Sequence, residues 1–99
     1  MILLRITEAT AVGEFRLQLR LTDGSLVERE ISRLLAGPVF DRIRNDSTEF
    51  ARVRAAHGTI EWPGEIDLCP DVVIWGGPPR DGTPPRDLQI ELPSTAKAH

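Results

Sequence analysis

The sequence has 99 residues and a mass of 11.0 kDa, room for one small domain and for no second core of ordinary size. Apolar residues make up 40%, charged residues 27% and aromatics 5%, which excludes collagen-like, coiled-coil and wholly disordered classes and predicts a folded but thin core. A net charge of −3 with a pI near 5.3 argues against a sequence-independent hold on nucleic acid, which needs many Lys and Arg contacts to phosphate. The single cysteine, Cys69, excludes an intramolecular disulfide and a cysteine-built zinc cluster.

The apolar start at Met1 breaks at Arg5, far short of a secretory apolar region, and no run approaches the ~18 residues that span a bilayer. The expectation is a soluble, unexported, cytoplasmic protein without a membrane contact. After an N-terminal strand, Phe15-Arg16-Leu17-Gln18-Leu19-Arg20-Leu21 alternates strictly and predicts a strand with one buried face. Asp23-Gly24 marks a turn, and Leu26 to Ile31 reads as the return strand. A two-residue loop would set Leu19 opposite Glu28 and Leu17 opposite Glu30, wasting an apolar face. A three-residue loop with Gly24 at positive φ instead pairs Phe15 with Ile31 and Leu19 with Val27 inside, and Arg16 with Glu30 outside. This register places Arg29 opposite Leu17 on the apolar face; a longer loop pairing Leu17 with Ile31 is the alternative.

Ser32 is expected to cap a short turn through Leu34-Leu35, and Pro38 to open a helix with Val39, Phe40 and Ile43 on its inner side. Asp46 with Glu49 has the form of a capping box. Next, a two-residue turn at His57-Gly58 sets Ala55 against Ile60, Val53 against Trp62 and Arg54 against Glu61, so one register satisfies both faces of a second hairpin. Pro63-Gly64 ends it, Pro70 to Trp75 reads as one further helical turn, and Gly76-Gly77 stops that turn.

Composition changes at Gly76, since five of the eight prolines and three of the eight glycines fall in the last 24 residues. The pattern divides the chain into a compact α+β domain, 1–75, and a Pro/Gly-rich tail, 76–99. The tail repeats Pro-Pro-Arg-Asp at 78–81 and 84–87 as a polyproline-like spacer, followed by an alternating segment at 88–92 suited to pairing with a sheet edge of the same chain or a neighbour's; a disordered tail is the alternative. The fold class is thus α+β: a small antiparallel sheet of two hairpins plus an N-terminal strand, short helices and a Pro-rich C-terminal tail.

His57-Gly58-Thr59-Ile60-Glu61-Trp62-Pro63 and Asp67-Leu68-Cys69-Pro70-Asp71-Val72, with Asp23-Gly24 and Leu34-Leu35-Ala36-Gly37-Pro38-Val39-Phe40 before them, resemble the small bacterial family known as domain of unknown function 2442. The likeness runs from about Val12 to Val73. It implies a compact α+β fold of antiparallel strands and short helices, and no established activity. Family members resemble one partner of a toxin–antitoxin pair encoded beside a second small protein, and some carry a helix-turn-helix domain; no such helical pattern follows here. Cys69 and the tail depart from the family pattern.

His57, Cys69, Asp67 and Asp71 are the one set with the residue types for a Cys-His nucleophile or a metal site, but their spacing fits no such motif. His57 is accounted for as a turn residue, Cys69 as a small apolar residue, and Asp67 and Asp71 as caps of the helical turn. Arg16, Arg20, Arg52 and Arg54 meet Glu28, Glu30 and Glu61 as cross-strand pairs, not as a phosphate-binding strip. No catalytic, cofactor or metal residue is assigned. The expected function is a non-enzymatic protein-interaction module, the antitoxin-like partner of a small neighbouring protein, with a ligand-sensing regulatory domain of a DNA-linked transcription system as the alternative. Its partner-binding residues are taken as Trp75, Leu88, Ile90 and Leu92, and its partner as itself, in a homodimer, or the small protein encoded nearby. A core of ~75 residues without a disulfide or metal commonly needs another subunit.

Overall fold

The computed structural model describes residues 4–80 and 82–90. Strands β1 (Ile6–Gly13), β2 (Arg16–Leu21) and β3 (Leu26–Glu30) form a meander, and β7 (Asp87–Gln89) lies beside β3, giving a four-stranded sheet in the order β1-β2-β3-β7. Strands β4 (Arg54–Ala56), β5 (Thr59–Trp62) and β6 (Ile66–Leu68) form a second, three-stranded sheet. Between the two in sequence lie two 3-10 turns, Ser32–Leu34 and Pro38–Phe40, and helices α1 (Asp41–Asn45) and α2 (Ser47–Phe50); α3 (Pro70–Trp75) follows β6.

The α+β class, the N-terminal strand and the registers of both hairpins stand as expected, but β2 begins at Arg16, after Phe15 at φ 55, and β4 at Arg54, so the expected Phe15–Ile31 and Val53–Trp62 pairs fall outside the ladders. In the first hairpin Arg16 pairs with Glu30, Leu17 with Arg29 and Leu19 with Val27, the shifted register, around Thr22-Asp23-Gly24 with Gly24 at φ 89. The Asp23 carboxylate accepts from the Ser25 amide at 2.9 Å and the Ser25 hydroxyl at 2.6 Å, and these bonds, the hydroxyl's first, hold its pKa below the usual value. In the second hairpin Arg54 faces Glu61 and Ala55 faces Ile60. His57 and Gly58, at φ 56 and φ 82, supply the two positive-φ residues of a type I′ turn.

Several local expectations are corrected. The strands make two sheets, because Ile66–Leu68, which reads too short and too polar in sequence, returns after Pro63-Gly64 to pair with β5. Strand β7 runs parallel to β3, so the larger sheet is mixed. Val39 is 65% exposed, since the 3-10 turn through Pro38–Phe40 rotates it off the face that carries Ile43. Ser32 sits inside its turn and bonds Glu30 Oε1 at 3.0 Å, while Ile31 occupies the cap position without a side-chain bond. Asp46 does cap α2, accepting from the Thr48 amide at 2.9 Å, whereas Glu49 pairs with Arg42 at 3.1 Å and with Arg52 at 3.5 Å. The α3 cap position belongs to Cys69, with no side-chain cap bond, not to Asp67 or Asp71.

The core lies on the inner faces of both sheets. Leu17, Leu19, Leu21, Val27, Ile31, Ile60, Trp62, Val73 and Ile74 are buried there. An aromatic chain crosses it: Phe15 meets Phe50 edge-on at 5.7 Å, Phe50 meets Trp62 at 6.1 Å, and Trp62 Nε1 donates to the Phe50 carbonyl at 2.9 Å. The sheets are joined where the Ile6 amide donates to the Gly58 carbonyl at 2.9 Å.

Arg29 is the polar exception in this core, fully buried. Its guanidinium donates from Nε to Val73 O at 2.9 Å and Ile74 O at 3.2 Å, from Nη2 to Ile74 O at 2.7 Å, and from Nη1 to Glu28 O at 2.6 Å. The Val73 and Ile74 carbonyls belong to the last turn of α3, where helical acceptors are left over and a cation is favoured. Burial pushes the Arg29 pKa down to about 10, partly opposed by the charge of Asp87, so the group is charged at neutral pH. The folded pKa lies below the unfolded value, so the penalty for burying the charge is constant below about pH 10 and is relieved only as pH rises above it.

Two outcomes follow for stability. Arg29→Met removes the donors to three carbonyls and is expected to cost about 2 kcal/mol, net of the relieved desolvation, read as a Tm lowered by roughly 8–16 °C for a domain of this size; an unchanged Tm would mean that those carbonyls are satisfied without it. His57→Asn places the favoured residue at the first position of the I′ turn and is expected to raise stability by about 0.5 kcal/mol, measured by urea denaturation.

Candidate functional site

Strand β7 is the edge strand of the larger sheet, beside β3. Glu28 pairs with Asp87, Arg29 with Leu88 and Glu30 with Gln89. Two flanking bonds lock this register, from the Glu28 amide to Arg86 O at 2.8 Å and from the Ile90 amide to Glu30 O at 2.9 Å. Alternation then sorts the side chains: Asp87 and Gln89 face solvent, Leu88 is half-buried and Ile90 is fully buried in the core.

The edge is shaped by the end of α3. Gly76 caps the helix in the left-handed region at φ 76, its amide donating to Val72 O at 2.8 Å. A Cβ there would stand 3.4 Å from Leu88 Cδ2 and 3.9 Å from Ile90 Cδ1, so the tail's apolar residues pack against the helix stop. Arg29, bonded to the same helical turn, lies directly across the ladder from Leu88. On the outer face Arg16 Nη2 meets Asp87 Oδ2 at 2.9 Å and Glu28 Oε1 at 3.1 Å. These bonds, Glu28's first and Asp87's second, raise the Arg16 pKa. The pair is exposed and screened by salt, so it selects register more than it adds stability.

Of the residues assigned to partner binding, Leu88 and Ile90 come together at this edge and Trp75 lies half-buried at the end of α3, packed against the core. Ile90 is enclosed by this chain's own core; Leu92 lies outside the described residues. Arg16, Arg29, Gly76 and Asp87 were not assigned to the edge from sequence. The position of Arg29 on the apolar face, which the register required, was the available signal for it.

Of the arginines predicted to pair across strands, Arg16, Arg20 and Arg54 do so, with some partners exchanged, while Arg52 lies in no strand and pairs three residues back along the chain. Arg54 meets Glu61 at 2.7 Å, Arg20 meets Glu8 at 3.3 Å, and Arg52 meets Glu49 within a turn. His57, Asp67 and Cys69 are exposed, and Asp71 lies 3.8 Å from Arg5. No cluster of three or more His, Cys, Asp or Glu able to hold a metal occurs among the described residues. A separate open groove of about 570 Å³ lies between the Glu14–Phe15 turn and α1–α2, with Ile43 and Phe50 among its apolar lining and Arg44 and Ser47 among its polar lining.

A two-sheet α+β domain closed by a C-terminal strand is the class these features define. A family profile described as "Protein of unknown function (DUF2442)" matches residues 6–78, and the chain belongs to that family. No curated protein and no solved structure matches it. The match ends before β7, so the strand that completes the larger sheet lies beyond the matched region.

Gly76→Ala is expected to cost about 1–2 kcal/mol, from an alanine held in the left-handed region at φ 76, its added Cβ meeting Leu88 at ordinary contact distance. Thermal unfolding reads this as a lowered Tm; a Tm equal to the wild type's would show that the end of α3 does not require the left-handed conformation at residue 76.

Proposed function

We propose that the chain is a non-enzymatic protein-interaction module, the antitoxin-like partner of a small protein encoded beside it, acting in the cytoplasm. The observation that carries this reading is the way β7 is held: a short strand arriving from a spacer adds to a sheet through backbone bonds, one charge pair and two apolar side chains. That is the chemistry of strand addition, in which the ladder supplies affinity and alternate side chains supply specificity. As the terminal strand of its sheet, β7 offers its second row of backbone groups to a partner strand. The acidic net charge and the pairing of Arg16, Arg20, Arg52 and Arg54 with carboxylates speak for a protein partner over direct nucleic-acid binding. No helix among the described residues is long and apolar enough to cross a membrane.

The alternative, a ligand-sensing regulatory domain, draws on the groove beside Phe15, whose volume falls within the range of small-molecule sites. Coexpression with the product of the adjacent small reading frame tests the main reading. The full chain is expected to elute with that product as one complex, and Ile90→Asp, which prevents β7 from seating, to abolish it. Separate elution of the two wild-type proteins, or a complex indifferent to Ile90→Asp, would contradict the reading.

A further inference from the structure

We propose that the β3 edge is a strand-exchange slot, in which residues 82–90 of one copy dock on β3 of a second copy in the register seen here, closing a symmetric dimer. The proposal rests on the reading of the β3–β7 edge as an association site, but concerns this chain alone.

The first argument is that everything holding β7 is carried by the segment itself. Asp87 supplies the carboxylate for Arg16, Arg86 O and the Ile90 amide supply the flanking ladder bonds, and Leu88 and Ile90 supply the apolar contacts. Pro84 in the same segment is also buried. A second copy brings the same groups to the same slot, so exchange loses no contact, and its equilibrium depends on the connection and on concentration.

The second argument concerns the connection. Pro78, Pro79, Pro84 and Pro85 stiffen the ten residues, 77–86, between the Gly76 cap of α3 and β7, and each proline lacks a backbone donor. Extended at about 3.1 Å per residue, such a segment reaches ~31 Å, comparable with the 36 × 32 × 22 Å extents of the molecule. In the closed chain the turn-back includes Gly82, at φ 94, in a region that residues with a Cβ rarely adopt. Straightening that bend delivers β7 to a neighbour instead of its own sheet.

Thirdly, an empty slot is costly, since it strips a strand from the edge beside buried Arg29 and removes the fully buried Ile90 from the core. The opened form therefore needs a replacement strand. The second copy is the occupant whose charge and apolar spacing match the slot, and reciprocal exchange fills both slots at once.

The test is the full chain carrying Cys69→Ala, Glu30→Cys and Gln89→Cys. Positions 30 and 89 are register partners on the outer face, so a closed chain oxidises to a cross-linked monomer and an exchanged pair to a covalent dimer. The dimer is expected to grow with protein concentration, and light scattering on the unmodified chain to show the same doubling of mass. Gly82→Ala, which disfavours the bend, should raise the dimer fraction several-fold at fixed concentration, and Ile90→Asp should abolish it. Only monomer at every concentration, with Gly82→Ala also monomeric, would overturn the proposal, as would a dimer that survives Ile90→Asp. Because no second protein is present, failure here is distinguishable from failure to bind the neighbour's product.

Discussion

Arg29 sits at the point where three parts of the chain meet. It belongs to β3, its guanidinium holds the last carbonyls of α3, and its ladder partner is Leu88 of β7. A buried guanidinium with no carboxylate in contact among the described residues is costly: the depression of its pKa to about 10 corresponds to roughly 3 kcal/mol of preference against the charged form. The arrangement persists because the fork geometry of arginine satisfies several carbonyls that would otherwise be orphaned at the end of a six-residue helix. An aliphatic residue would fill the space but leave those acceptors unsatisfied.

The placement of α3 and the tail follows from that constraint. With its C-terminal turn tied to β3, the helix presents its left-handed Gly76 stop to the sheet edge, within packing distance of Leu88 and Ile90. The tail then completes a core that has no disulfide: Cys69 is free and exposed. A domain this size gains proportionally little from burial, so one added strand with a fully buried isoleucine contributes heavily. An element beyond the family match thus closes the hydrophobic core, linking the fold's stability to the tail.

Much of the fold was legible because two faces had to be satisfied together. The first hairpin's register followed from Leu19 meeting Val27 and Arg16 meeting Glu30 at once; the second followed from Ala55 with Ile60 and Arg54 with Glu61, with His57-Gly58 as the turn. The same register exposed the anomaly at Arg29, although sequence alone did not indicate that helix carbonyls would receive it. Strand β6 was hidden because Ile66-Asp67-Leu68 is too short to establish a period. Val39 misled because a helical period was assumed where the chain makes a 3-10 turn. The alternating tail segment at 88–92 overlaps β7 only at Leu88 and Gln89, its residues 91 and 92 lying outside the described residues, and neither the parallel direction nor the choice of β3 could be read from it, since both depend on how the spacer bends.

The most direct measurement is residue-resolved amide hydrogen exchange on the wild type and Arg29→Lys, which keeps the charge but loses the planar fork. If Arg29 couples helix, sheet and tail, protection should fall together at Gly76, bonded to Val72, and at Glu28 and Ile90, bonded across the β3–β7 edge, while the Ala55–Ile60 hairpin keeps its rates. Loss of protection at Gly76 with wild-type rates at Glu28 and Ile90 would contradict the account, since the tail would then hold to the sheet without the arginine.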